Sequence, residues 1–182
     1  MKKLLILLLF SCSIISCKAQ KKETPLQWKD FESKEAGIKV QIPCEPKKYF
    51  KSFQEQPRPI HVYNFNCEIE GLKFLISSKH YLDDFNNTFK QTFDAVESNL
   101  KTMFGEIKSF NERKDFQTNG FESKYYQVKL NSGAKINQLI VVSKTRSYDA
   151  MFAVLPDKAK ESNTDYEKIG KQFIDSFQLL EK

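Results

Sequence analysis

The sequence predicts an α+β fold, in which an antiparallel sheet of about 7–9 strands is covered by a long central helix and a C-terminal helix. Most segments after residue 26 alternate apolar and polar residues with the period of two that strands show. Two segments instead repeat apolar residues every three or four positions, as amphipathic helices do. Two late strands are apolar on both faces, which indicates a central position in the sheet.

The first three strands are predicted over residues 28–33, 37–43 and 47–53. Pro43 and Pro46 end the second of them, because proline removes a backbone donor from the ladder. That second strand places its apolar residues on one face: Ile38, Val40 and Ile42.

Residues 61–80 are predicted to form a hairpin around a two-residue Glu-Gly turn. This turn places His61 opposite His80 and Phe65 opposite Ile76, and it collects the larger apolar residues on one face. A slip of one residue would mix the apolar and polar sets, so the pattern itself favours this register.

A long central helix is predicted over residues 85–104, and Gly105 supplies its C-terminal stop. Its apolar stripe consists of Phe85, Phe89, Phe93, Val96, Leu100 and Phe104. Four more strands are predicted over residues 106–116, 120–130, 134–143 and 148–156. Within the last two, residues 139–142 and 150–155 are apolar on both faces and predict central strands.

A C-terminal helix is predicted to begin at Thr164, which would form a capping box with Glu167. Its apolar stripe consists of Tyr166, Ile169, Phe173, Phe177 and Leu180. This helix completes the set of elements that would cover the sheet.

The chain divides into a leader at residues 1–17, a polar tether at residues 18–25 and a single domain at residues 26–182. The net charge of +6 falls to +4 when Lys2 and Lys3 are removed with the leader. The basic residues are scattered rather than gathered into a stripe, so we expect no nucleic-acid partner.

The leader has a basic head, an apolar run over residues 4–10 and the sequence Ile-Ile-Ser before Cys17. It resembles the signal peptide and lipobox of bacterial lipoproteins. That resemblance implies cleavage before Cys17, a diacylglycerol on its thiol and a lipid anchor in the cell envelope. Lys18 in place of an aspartate implies the outer membrane, with the periplasmic or surface face left open.

Two other interpretations of the leader remain. A permanent transmembrane helix needs about 20 apolar residues, and this run is shorter. Ordinary signal peptidase could instead cut near Ser11-Cys12-Ser13 and release a soluble secreted protein.

The order of elements resembles the PsbP-like α/β/α sandwich domains of bacterial envelope proteins. The resemblance is carried by the pattern of residues 31–46, the long central helix, the antiparallel strands and the closing sequence at residues 173–177. Members of that family include photosystem-associated subunits and envelope lipoproteins. No catalytic motif of the family can be placed on this chain, so the resemblance implies neither a reaction nor a cofactor.

The chain contains none of the common catalytic or nucleotide-binding motifs, such as GxSxG, a P-loop, GxGxxG, HExxH or CxxC. His61 and His80 are weak candidates for a metal site, because they would be cross-strand partners. Cys67 lies too far along the strand to join them, so two packed side chains are the simpler interpretation. We therefore predict no catalytic residue, no metal site and no cofactor.

Cys44 and Cys67 are predicted to form a disulfide. They are the only cysteines left once Cys12 is removed and Cys17 is acylated, and many bacterial envelopes are oxidising. Both fall on apolar strand faces, where two buried free thiols are the alternative.

These observations favour a lipid-anchored envelope protein without enzymatic activity, which contacts an unknown envelope protein in an accessory role. The alternative is a protein that binds or senses a small apolar ligand between the Phe-rich helix and the sheet. A cavity at that position would favour the alternative.

Overall fold

In the part of the chain that it describes, the computed structural model contains two antiparallel sheets and three short α-helices. It describes residues 25–53, 60–81, 89–113, 121–143, 145–160 and 164–180. The strands are β1 (Lys29–Ser33), β2 (Ile38–Ile42), β3 (Lys47–Phe53), β4 (Ile60–Ile69), β5 (Leu72–Tyr81), β6 (Ile107–Arg113), β7 (Glu122–Leu130), β8 (Lys135–Val142), β9 (Arg146–Val154) and β10 (Gln178–Leu179). The helices are α1 (Phe89–Asp94), α2 (Val96–Phe104) and α3 (Tyr166–Asp175), with a 3₁₀ turn at Lys158–Lys160.

The larger sheet has seven strands in the order β3-β4-β5-β9-β8-β7-β6, and the smaller has the order β1-β2-β10. The prediction of two central strands is confirmed, because β8 and β9 lie inside the larger sheet and are paired on both sides. Their side chains are almost all buried, as expected for strands that are covered on both faces.

The predicted hairpin register is confirmed. His61 pairs with His80 and Phe65 pairs with Ile76 across β4 and β5. Glu70 and Gly71 both have positive φ, at 49° and 78°, as a two-residue turn between twisted strands requires.

The predicted α+β fold with a long central helix is wrong. The described residues form a mostly-β structure with two sheets, and the central segment is divided into α1 and α2 at Ala95. The apolar spacing identified the face that Val96 and Leu100 bury, but spacing alone does not determine whether a helix is continuous. Phe85, the first residue of the predicted stripe, lies outside the described residues.

The C-terminal segment also differs from its prediction. Asp165, and not Thr164, is the N-cap of α3, and its side chain accepts a hydrogen bond from the Lys168 backbone N–H at 3.0 Å. The helix ends at Asp175, and β10 then pairs with β2. The continuous stripe to Leu180 is therefore replaced by a helix followed by a short strand.

Two apolar cores lie on opposite faces of the larger sheet. One joins that sheet to the smaller sheet and α3, and its largest rings include Phe65, Phe74, Phe152 and Phe173. The other joins the opposite face to α2. The smaller sheet thus covers part of one face of the larger sheet, beside α3, which the sequence did not predict.

Helix α3 packs closely against the larger sheet at Gly170. A Cβ atom at this position would lie 2.5 Å from Asn137 Nδ2 and 2.7 Å from Phe152 Cδ1. Since real Cβ atoms do not approach other atoms so closely, glycine permits this packing distance.

Candidate functional site

Strand β3 presents an unusual aromatic surface at the edge of the larger sheet. It pairs with β4, and among the described residues no strand pairs with its other side. All seven of its residues are exposed, including Tyr49 at 51%, Phe50 at 51% and Phe53 at 45%. Single exposed rings are common, but three within one edge strand, with Tyr49 and Phe53 on one face and Phe50 on the other, are an unusual concentration of exposed aromatic area.

This surface, Lys47–Phe53, is called the β3 edge surface below. Its only charged side chains are Lys47, Lys48 and Lys51, so its charge is uniformly positive. Lys48 forms an ion pair with Glu35 and also lies over the Tyr63 ring, 5.7 Å from its centroid. The edge therefore combines aromatic area, backbone groups with which no described strand pairs, and positive charge.

The two histidines extend the aromatic area onto the neighbouring strands. The Phe50 ring lies 5.7 Å from His61 and 4.9 Å from Tyr63, and the Tyr63 ring lies 5.2 Å from His80, between ring centroids. No group of three or more His, Cys, Asp or Glu side chains suited to a metal ion occurs within the described ranges. His61 and His80 are thus members of an aromatic row on one sheet face.

Cys44 and Cys67 lie at disulfide distance, as predicted, with Cα atoms 5.9 Å apart. Cys44 follows β2, the middle strand of the smaller sheet, while Cys67 is buried on β4. The pair therefore ties the two sheets together just before the chain enters β3. Its position supports the geometry of the β3 edge surface.

A cavity of about 240 Å³ lies between α2 and the larger sheet, on the face of that sheet that points away from the smaller sheet and α3. Its roof includes Val96, Asn99, Leu100 and Met103 of α2. Its floor is formed from β5, β8 and β9, and includes Ser77, Lys79, Gln138, Ile140, Asp149 and Met151. The lining is mixed in character and is less apolar than the sequence predicted for this position.

Asp149 and Gln138 form the polar centre of the floor. Gln138 Nε2 donates a hydrogen bond to Asp149 Oδ2 at 2.9 Å. Asp149 Oδ1 and Gln138 Oε1 are buried and accept no hydrogen bond from the described residues. Burial raises the pKa of the Asp149 carboxyl to about 6, and the hydrogen bond from Gln138 and the charge of Lys79 offset only part of this effect.

These two residues were missed at the sequence level, although a signal was present. Each lies one position before the fully apolar run that was predicted for its strand. A polar residue inside a strand that is covered on both faces needs a specific partner or a specific use. Phe93 and Phe104, which the sequence suggested for a ligand site, pack in the second core instead of lining the cavity.

The predicted lipidation site Cys17 lies outside the described residues. None of the helices in the described ranges is long and apolar enough to cross a membrane. In comparisons with known proteins, no family model and no curated protein matches the chain. The resemblances to lipoproteins and to PsbP-like proteins stay predictions, as does the absence of enzymatic activity.

Proposed function

We propose that this chain is a lipid-anchored protein of the bacterial cell envelope that binds another envelope protein through the β3 edge surface. The observation that carries the proposal is the exposure of three aromatic rings along one edge strand. The lipobox-like leader before Cys17 supports the anchor and the compartment.

The partner that fits this edge is an extended acidic segment. A sheet edge presents N–H and C=O groups to which a further strand can bind. Tyr49 and Phe53 lie on one face of β3 and Phe50 lies on the other, so a strand added at this edge would have aromatic neighbours on both of its faces. Lysine often protects edge strands from self-association, and here Lys47 and Lys51 would also attract carboxylates on the incoming segment.

Crosslinking in intact cells tests this interaction. A photoreactive phenylalanine analogue is placed at Phe53 and, as a control, at Met103, which is exposed on α2. We expect a protein adduct from position 53 alone, mapped to an extended acidic segment of the partner. The same adduct should be lost in the double variant Lys47→Glu and Lys51→Glu.

Three results would overturn the proposed contact. They are equal adducts from positions 53 and 103, an adduct unaffected by the charge reversal, and adducts formed with lipid alone. The last result would instead indicate that β3 lies on the membrane surface.

The anchor is tested independently by palmitate labelling and membrane fractionation of the wild type and Cys17→Ser. We expect label and membrane retention for the wild type alone, because the several acyl chains of a bacterial lipoprotein bind membranes stably. Equal labelling of the two proteins would remove the anchor from the proposal without affecting the β3 contact.

A further inference from the structure

The two faces of the β3 edge surface differ in charge. Side chains alternate along a strand, so every second residue of β3 points to the same face. One face, called the basic face below, carries Lys47, Tyr49, Lys51 and Phe53. The opposite face, called the aromatic face, carries Lys48, Phe50 and Ser52. A strand bound at this edge would place its own side chains alternately beside these two faces.

The two lysines of the basic face have no negative charge directly beside them on β4. Asn66 is opposite Lys47 and Val62 is opposite Lys51, and both of these neighbours are neutral. Among the described residues, neither lysine forms an ion pair. All of β3 is exposed, so both side chains are accessible to a partner.

The diagonal positions on β4 leave the same imbalance. Asn64 is opposite Tyr49, which makes it diagonal to both lysines, and it is neutral. Glu68 is diagonal to Lys47, but its carboxylate already pairs with Lys73 Nζ at 3.5 Å. The basic face therefore offers two accessible positive charges.

The aromatic face differs because its lysine is already paired. Lys48 forms an ion pair with Glu35 and lies over the Tyr63 ring. The Phe50 ring lies 4.9 Å from Tyr63 and 5.7 Å from His61, between ring centroids. A carboxylate added to this face would lie near the Glu35 carboxylate and the rings, so uncharged side chains suit it better.

The positions of Lys47 and Lys51 determine the spacing of the charges that they can bind. They are four residues apart on one face, or about 13 Å along the strand. In a strand paired with β3, the two residues opposite them are also four positions apart, whether that strand runs parallel or antiparallel. The three residues between them lie opposite Tyr49 on the basic face and opposite Lys48 and Phe50 on the aromatic face.

We infer that the segment bound by the β3 edge surface carries two acidic residues four positions apart, with three uncharged residues between them. Its two carboxylates pair with Lys47 and Lys51, and an apolar residue packs against Phe50. This inference rests on the proposed function and adds to it the arrangement of charges that β3 selects. An acidic residue shifted to the aromatic face loses its lysine partner and lies near Glu35.

Two peptides of equal composition test this selection. The matched peptide is Thr-Thr-Glu-Val-Thr-Val-Glu-Thr-Thr, whose glutamates share a face when the peptide is extended. Its isomer is Thr-Thr-Glu-Val-Thr-Glu-Val-Thr-Thr, whose glutamates lie on opposite faces. Surface plasmon resonance measures the affinity of each peptide for the protein, purified from cells in detergent and captured through a C-terminal tag. We expect the matched peptide to bind about threefold to fivefold more tightly at low ionic strength, because the isomer loses one exposed charge pair.

Variants of β3 test whether its lysines cause this preference. The double variant Lys47→Gln and Lys51→Gln should reduce the ratio of the two affinities to about one. Lys48→Gln removes a charge from the aromatic face and should keep the ratio. Lys168→Gln, at an exposed position on α3, is the control for the loss of a positive charge elsewhere. Since all of these positions are exposed, the variants should fold, and urea unfolding of each verifies it.

Equal affinities of the two peptides for the wild type would contradict the inference, and so would the failure of both to bind at millimolar concentration. A ratio that persists in the double variant would also overturn it, because the two lysines would then not select the charges. The crosslink from position 53 in cells tests the proposed function separately. An adduct that maps to a partner segment without this spacing overturns the inference alone, whereas the absence of any adduct overturns the proposed contact and leaves the peptide ratio to decide the inference.

Discussion

Replacing both Cys44 and Cys67 by alanine should lower the free energy of unfolding by about 3.4 kcal/mol. The two residues are separated by 23 positions, and the chain-entropy relation gives this value for a loop of that length at 25 °C. The stabilisation arises in the unfolded chain, where the crosslink removes conformations that the reduced chain can explore. Alanine retains part of the packing of the buried Cys67 side chain.

Urea denaturation followed by circular dichroism measures this effect. With a slope of about 2 kcal/mol per molar urea, the midpoint should fall by about 1.7 M. Treating the wild type with dithiothreitol should reproduce the shift, and the same treatment should leave the double alanine variant unchanged. That variant is therefore the matched control for any other effect of the reductant.

Two observations would refute this reasoning. One is alkylation of both thiols in the native mature protein without prior reduction, which would show that the bridge is not formed. The other is an identical midpoint with and without reductant, which would show that the crosslink does not limit the unfolded chain. A smaller shift with a changed slope would place part of the effect in residual structure of the unfolded state.

Three further predictions concern packing and pH. Phe74→Ala should lower the free energy of unfolding by about 3–5 kcal/mol, because the ring is fully buried against three other aromatic rings. Val62→Ala should lower it much less, and equal urea midpoints for the two variants would contradict this prediction. Gly170→Ala should destabilise the fold by about 1 kcal/mol, since the added methyl group overlaps the sheet and outweighs the gain in helix propensity, and a raised melting temperature would refute it. The Asp149 carboxyl has a pKa of about 6 in the folded state, against an ordinary value of 3.8, so the folded state binds the proton more tightly than the unfolded state. The free energy of unfolding should therefore rise by up to about 3 kcal/mol as the pH falls from 7 to 4. Asp149→Asn should remove that contribution, and unfolding curves of the two proteins that stay parallel across this pH range would show that the carboxyl is not perturbed.

The sequence alone determined features that depend on neighbouring residues. The register of β4 and β5 follows from a two-residue turn and from alternation with period two, both of which are local. The central position of β8 and β9 follows from their apolar character on both faces. The choice of Cys44 and Cys67 as partners followed from their being the only cysteines outside residues 1–17.

The tertiary structure decided which distant elements meet. Pairing of β5 with β9, and separation of β1, β2 and β10 into a second sheet, join segments far apart in the chain. Alternation shows which face of a strand is buried but does not identify the strand or helix that covers it. For this reason the sequence predicted β1 and β2 as strands but not that they form a second sheet with β10, and it could not bring Asp149, Gln138 and Lys79 into one cavity. The cavity under α2 is a product of strand order, which local residue patterns do not encode.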